Sequence, residues 1–119
     1  MNSIDFYQET AVTTQDKGRL VVILYEGAIK FLKLAVIAIE NNDFEGKGAN
    51  ISKARDIIFE LNTVLDIEAG GEIAQNLRKL YNFMGRHLTQ ASIKCDSQMV
   101  HEVITILEEL NEGWKAVAK

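Results

Sequence analysis

Residues 20–39 read LVVILYEGAIKFLKLAVIAI and contain more apolar surface than one core-facing stripe of a helix requires. At about 100° per residue, one row of this stretch has the spacing of an amphipathic helix. We predict that this row faces the core. It comprises Leu20, Leu24, Phe31, Ala35 and Ala38, with Gly27, Ala28 and Leu34 beside it.

A second apolar row stands almost opposite the first. Val22, Tyr25, Ile29 and Val36 lie about 140° to 200° around the helix from Leu20, so the apolar arc spans roughly 240°. A surface helix needs little more than about 100°. Two interpretations follow. Residues 20–39 form the most buried helix of a bundle, or the second row lines a groove that receives a partner's helix.

The whole chain predicts a single all-α domain, residues 1–119. It has no proline, and apolar residues recur at helical spacing along most of its length. We predict helices at about 16–41, 44–67, 72–94 and 97–117, preceded by a short N-terminal segment or helix over residues 1–15. Short connections favour antiparallel neighbours, and hence an up-and-down four-helix bundle.

Charge and composition exclude several classes of function. The net charge of −4 provides no basic surface for nucleic acid. The longest apolar runs are far shorter than the roughly 20 residues of a membrane-spanning helix, so we expect no membrane insertion. Residues 1–9 lack the basic start of a signal peptide. With Cys95 as the one cysteine, a reducing cytoplasm fits best.

Residues with the chemistry of an active site are sparse. His87 and His101 have no carboxylate three positions earlier, so the Glu-x-x-His spacing of di-metal bundles is missing. Cys95 has no histidine next to it in sequence to activate its thiol. Gly70 and Gly71 follow a helix and lack the lysine of a phosphate-binding loop. We therefore expect no enzymatic activity, no metal and no cofactor.

Two aromatic residues lie off the core stripes of their helices. Phe59 projects about 80° to 100° from the stripe of the second helix, and Phe83 lies well off that of the third. Such residues serve either as packing at the edge of a core or as contacts for a partner.

Five short blocks resemble one protein family in their order and spacing, over essentially the full length of the chain. They are Leu24-Tyr-Glu-Gly-Ala28, Leu65-Asp66, Gly70-Gly-Glu-Ile-Ala74, Leu80-Tyr81 and the terminal Trp114. The chain resembles the flagellar secretion chaperones that bind newly made flagellin.

The resemblance implies a cytoplasmic bacterial export chaperone built as an antiparallel helical bundle. It implies two partners: the disordered C-terminal segment of flagellin, which becomes helical as it wraps around the chaperone, and a protein of the flagellar export gate. Such a chaperone prevents premature polymerisation of flagellin and delivers it to the gate. The N-terminal segment, with Tyr7, is a mobile element of the family, associated with covering the site and with recognition by the gate.

The physical interpretation is compatible with this function, because a segment that folds on binding needs an extended apolar surface to offset its loss of entropy. The alternative is a structural or adaptor protein in which the second row closes a weak homo-oligomer, with no foreign chain bound. We predict that seven residues contact the partner: Tyr7, Val22, Tyr25, Ile29, Val36, Phe59 and Phe83.

Overall fold

A computed structural model describes the backbone of residues 16–117 and the side chains of residues 18–117. This part of the chain forms four α-helices: α1 (Asp16–Glu40), α2 (Phe44–Thr63), α3 (Ile67–Lys94) and α4 (Ser97–Val117). The predicted all-α four-helix architecture is confirmed. None of these helices has the length and apolar character needed to cross a membrane.

The helices form a closed ring in which each one contacts two others. α1 packs against α2 and α4, and α3 packs against the same two helices from the opposite side. Side-chain contacts show the antiparallel directions. Near the start of α2, Lys47 Nζ donates a hydrogen bond of 2.8 Å to the carbonyl oxygen of Ser92, near the end of α3. Lys115, near the end of α4, lies 3.7 Å from Glu26 in the first half of α1.

An aspartate caps the start of each helix after α1. The side chains of Asp43, Asp66 and Asp96 accept hydrogen bonds of 2.9–3.0 Å from backbone N–H groups two or three residues later. Each bond satisfies one of the amide donors that a helix start leaves without an intrahelical acceptor. The connections can therefore be very short, which keeps sequential helices adjacent.

The boundary between α2 and α3 differs from the predicted one. α2 ends at Thr63 and not near residue 67, and α3 begins at Ile67, because Asp66 caps a first turn there. Within α3, however, Gly71 has φ 55° and ψ −129°, which are non-helical angles. The continuous helix therefore starts at residue 72, after the two glycines, and residues 67–70 form a separate turn in front of it.

One apolar core is shared by all four helices. Its largest fully buried side chains come from every helix: Tyr25, Leu32, Leu61, Met84, Leu88, Val100, Val103 and Leu107. Burial of apolar surface at about 25 cal/mol per Å² is the main force that holds such a bundle together. Because no helix buries its stripe alone, the four form one cooperative unit.

The buried face of α1 is rotated relative to the predicted core row. Leu20 of that row and Leu34 beside it are exposed, whereas Tyr25 and Val36 from the second row are buried. Leu32, which belongs to neither row, is fully buried between them. The centre of the core face therefore lies about 100° around the helix from Leu20. The reason is that α2 and α4 flank α1 on both sides and cover the arc between the two rows.

Candidate partner-binding surface

Most of the second apolar row of α1 lines no groove; its member Ile29 lines an open cleft of about 700 Å³ between α1 and α4. Tyr25 is fully buried and Val36 nearly so, while Val22 and Ile29 are half-buried. α4 packs along this side of α1, and the ring of its Trp114 lies 6.3 Å from the ring of Tyr25. The prediction that Tyr25 and Val36 offer a surface to a partner is therefore wrong for the folded bundle. Tyr7 lies outside the described residues.

The two off-stripe aromatic residues are on the surface. Phe59 is 72% exposed and Phe83 is 40% exposed. They lie on opposite flanks of α3, because Phe59 belongs to the groove between α2 and α3 and Phe83 to the groove between α3 and α4. Any chain that contacts both must pass across or around α3.

The α2–α3 groove has a volume of about 400 Å³ and a mixed lining. At one end, Asn62 joins the two helices, since its amide nitrogen donates to Asn82 at 3.0 Å and its amide oxygen accepts from Arg78 at 3.2 Å. The groove presents one large apolar side chain among groups that can form hydrogen bonds and ion pairs. Its lining includes Arg55, Asp56, Phe59, Asn82, Gly85 and Arg86.

The α3–α4 groove encloses about 380 Å³ around Phe83. The ring of Phe83 stacks on that of His87 at a centroid distance of 5.0 Å. His87 Nε2 lies 2.8 Å from a carboxylate oxygen of Glu102 on α4, so the imidazole is held between the two helices. This network keeps the aromatic face of Phe83 in a defined position at the edge of the groove.

A third, more apolar groove lies at the end of the bundle where α1 and α3 begin and α2 and α4 end. We call it the end groove. Its volume is about 430 Å³, and its lining includes Val21, Val64, Ile73, Leu77, Trp114 and Val117. Ile73 has the helical spacing of the core residues of α3, but it is exposed at this end of the described bundle.

The side of the end groove nearest the core is an aromatic cluster. The hydroxyl oxygens of Tyr25 and Tyr81 are 2.5 Å apart and share a hydrogen bond, and the two rings meet edge to face. Burial raises the pKa of both tyrosines above the ordinary value of 10.0. Both hydroxyls therefore stay neutral at physiological pH, and no charge develops beneath the apolar surface.

The blocks that carry the family resemblance converge on this end of the bundle. Members of four of the five blocks line the end groove, and the remaining block, in α1, contributes Tyr25 to the aromatic cluster below it. The order of the five blocks along the chain did not predict that they meet at one end of the bundle. The lining members are Leu65, Asp66, Gly70, Ile73, Ala74, Tyr81 and Trp114.

The chemistry available in these grooves is that of packing and hydrogen bonding. Within residues 16–117, no group of three or more histidine, cysteine or acidic side chains is arranged to hold a metal ion. Cys95, at the end of α3, contacts Lys47 Nζ at 3.3 Å and lies outside the three grooves. The exposed apolar side chains in the grooves, Phe59, Ile73 and Phe83 among them, are suited to contacts with apolar side chains of a polypeptide.

Comparison with known proteins places the chain in a family. The family described as "Flagellar protein FliS" matches residues 1–119. The flagellar secretion chaperone FliS of Bacillus subtilis strain 168 is 40% identical over 114 residues, covering 96% of this chain and 84% of the relative. The FliS proteins of Vibrio cholerae and Salmonella typhimurium are 36% and 40% identical, over 97% and 92% of this chain and 88% and 82% of their own lengths.

These relatives carry the name of a chaperone and not that of an enzyme. The family match spans the whole chain and includes the blocks that meet at the end groove. The described part of the chain is a four-helix bundle. This chain belongs to the FliS family of flagellar secretion chaperones.

Proposed function

We propose that this protein is a cytoplasmic export chaperone that binds the disordered C-terminal segment of flagellin. In this proposal it prevents premature polymerisation of flagellin and delivers the subunit to the flagellar export gate. Membership of a family of flagellar secretion chaperones supports the role in export. The observation that carries the proposal is the presence of grooves with exposed large apolar side chains on both flanks of α3 and at the bundle end.

The distribution of these grooves favours an extended partner over a compact one. A disordered segment loses conformational entropy when it folds on binding, and this costs about 2–5 kcal/mol or more of the interaction energy. A single pocket offers too little apolar surface to offset that cost, whereas three separate grooves offer a long path. We infer that amphipathic helices of flagellin pack beside Phe59 and Phe83 and cross α3 between them.

We further propose that the segment before α1 covers the end groove until the partner binds. Residues 1–15 contain the apolar residues Ile4, Phe6, Tyr7 and Val12. The chain continues from this segment into α1, whose Gly18 and Val21 line the end groove. Tyr7 would then be displaced on binding and become accessible to the export gate.

Calorimetric titration with a peptide of the flagellin C-terminal segment tests the proposal. We expect a 1:1 complex with the parent protein. Phe59→Ser and Phe83→Ser should each weaken binding at least tenfold, about 1.4 kcal/mol, because each removes an exposed aromatic contact. Both residues are exposed or partly exposed, so circular dichroism should show the helix content of the parent.

Phe44→Ser is the matched control, because Phe44 is also an exposed phenylalanine but lies outside the three grooves. It should bind the peptide as the parent does. Lack of binding by the parent protein would refute the proposal, and equal losses in all three variants would refute the assignment of the two grooves.

A further inference from the structure

Three of the four arginines of this chain meet at the α2–α3 groove. Arg55 of α2 and Arg86 of α3 line it from its two walls. Arg78 donates a hydrogen bond of 3.2 Å to Asn62 at one end of the groove. The fourth, Arg19, belongs to α1. Guanidinium groups are therefore concentrated on one surface of a chain whose net charge is −4.

The α2–α3 groove also differs in charge from the other three clefts. Among the described residues, its lining has two arginines and one acidic residue, Asp56. The acidic residue of the end groove is Asp66 and that of the α3–α4 groove is Glu102, and neither lining contains a lysine or an arginine. The cleft between α1 and α4 has three lysines and four glutamates. Of these four clefts, the α2–α3 groove is the one with a positive formal charge.

The two lining arginines have no partner in the described part of the chain. Among residues 18–117, neither Arg55 nor Arg86 forms an ion pair or a side-chain hydrogen bond, and both are exposed. A guanidinium group presents its N–H donors in a planar fork that matches the two oxygens of a carboxylate. The pair is therefore suited to a carboxylate that comes from another chain.

The two arginines lie together at one end of the groove. α2 and α3 run antiparallel, and the hydrogen bond of 3.0 Å between Asn62 and Asn82 marks the other end. On α2, Phe59 precedes Asn62 by three residues and Arg55 precedes it by seven. On α3, Arg86 follows Asn82 by four residues. Both arginines are thus roughly 6 to 11 Å along the helix axes from the asparagine pair, with Phe59 between.

Gly85 leaves the α3 wall of the groove open. It lies inside α3, where glycine is less favourable than alanine. A methyl group added at Gly85 would meet no heavy atom within 4 Å beyond its own turn of helix. Packing within the described chain therefore does not require a glycine there. Glycine does allow a bound chain to approach a helix closely, so the unfilled space points to a ligand.

We propose that the α2–α3 groove selects an acidic residue of the bound flagellin segment. Its carboxylate pairs with Arg55 and Arg86. An apolar residue about one helical turn away packs on Phe59 and over Gly85, since Arg55 and Phe59 are themselves about one turn apart. This inference rests on the proposed function and adds a determinant of specificity to it. A single carboxylate suits the site better than a polyanion, because Asp56 and the net charge of −4 repel dense negative charge.

Calorimetric titration of arginine variants with a peptide of the flagellin C-terminal segment tests the inference. Arg55→Gln and Arg86→Gln should each weaken binding about three- to tenfold, because each removes half of an exposed charge pair. Lys79→Gln is the matched control. It removes the same charge from an exposed position of α3 that lines none of the four clefts, so it should bind as the parent does. Circular dichroism should show the helix content of the parent for all three variants.

A second set of titrations identifies the carboxylate. Each acidic residue of the peptide is replaced in turn by its amide, aspartate by asparagine and glutamate by glutamine. One such peptide should bind the parent about three- to tenfold more weakly than the acidic peptide does. The double variant Arg55→Gln/Arg86→Gln should bind the two peptides equally. This loss of additivity measures the pairing between guanidinium and carboxylate.

Gly85→Ala separates binding from folding. The variant should raise the midpoint temperature of unfolding, because alanine favours the helix, and should weaken peptide binding about threefold or more, because its methyl group occupies the space of the ligand. Gly48→Ala is the matched control. Gly48 lies in α2 with open space around it and lines none of the four clefts. Alanine there should raise the midpoint and leave binding unchanged.

The outcomes separate this inference from the function on which it rests. Absence of binding by the parent would refute both. If the parent binds and the arginine variants lose no more affinity than Lys79→Gln, this inference alone fails. It also fails if no amide replacement in the peptide couples to the arginines, or if Gly85→Ala binds as the parent does. Inorganic phosphate that binds Arg55 and Arg86 more tightly than the peptide does would assign the groove to a phosphate-bearing partner instead.

Discussion

The contact between Tyr25 and Tyr81 shows how single residues specify the centre of this bundle. The two hydroxyls are buried and share one hydrogen bond, in which one hydroxyl donates and the other accepts. A buried hydroxyl without a partner is costly, whereas a satisfied pair is tolerated and fixes the orientation of both rings. The pair joins α1 to α3 across the ring and so sets the rotation of α1 about its own axis.

Replacing either tyrosine of this pair alone should lower the free energy of unfolding by more than half of the loss caused by replacing both. Tyr25→Phe or Tyr81→Phe leaves one buried hydroxyl without its partner, at a cost of about 1–3 kcal/mol in the free energy of unfolding. The double variant removes both hydroxyls, so its loss should be smaller than the sum of the single losses. Urea unfolding of the four proteins measures these differences. Strictly additive losses would show that the hydrogen bond does not couple the residues.

At the scale of the element, the start of α3 combines a cap, a turn and a kink within six residues. Asp66 caps the turn 67–70, and Gly71 then redirects the chain into the long part of α3. A side chain at Gly70 would come within 2.6 Å of the Cβ of Ala74, whereas Gly71 has open space but a positive φ. The two glycines are thus required for different reasons, one steric and one torsional. Together they shape one wall of the end groove.

Gly71→Ala should lower the free energy of unfolding by about 1–3 kcal/mol, because alanine is strained at φ 55° and ψ −129° even where nothing crowds its methyl group. Gly48→Ala is the matched control. Gly48 lies within α2, and a methyl group added there would meet no heavy atom within 4 Å, so alanine should raise stability by about 0.5–1 kcal/mol. Thermal or urea unfolding gives both values. Equal effects of the two substitutions would contradict the torsional explanation.

At the scale of the whole molecule, the bundle should unfold as one unit. The core forms a single cluster with members from all four helices, so separation of any one helix exposes residues of the others. Trp114 packs against this cluster near the bundle end and reports on the tertiary contacts between α1 and α4.

Met84→Ala should therefore destabilise the entire protein. Met84 is fully buried, and truncation of a buried methionine costs about 2–5 kcal/mol. The transition should shift equally when it is followed by far-ultraviolet circular dichroism and by Trp114 fluorescence, as expected of a two-state domain. Ile93→Ala, at an exposed position, should change stability by less than about 0.5 kcal/mol. Separate transitions for the two probes would indicate that part of the bundle unfolds independently.

The amino-acid sequence predicted the fold more fully than it predicted which residues lie on the surface. Apolar periodicity, the absence of proline and the short connections were sufficient for the four-helix architecture, because these signals are local. The family blocks were sufficient for the class of protein. Of the predicted contact residues, Phe59 and Phe83 lie on the surface, Val22 and Ile29 are half-buried, and Tyr25 and Val36 are in the core.

The helical phase of residues 20–39 and the width of their apolar arc are properties of the chain itself, so the amino-acid sequence alone determined that this stretch is a helix of an all-α bundle. Only the tertiary structure decided which part of that arc is covered. Helical spacing relates residues to one another around one axis, but it does not say where the neighbouring helices lie. Because the arc is wider than one neighbour covers, the positions of α2 and α4 placed Tyr25 and Val36 inside and left Ile23 and Ile37 outside.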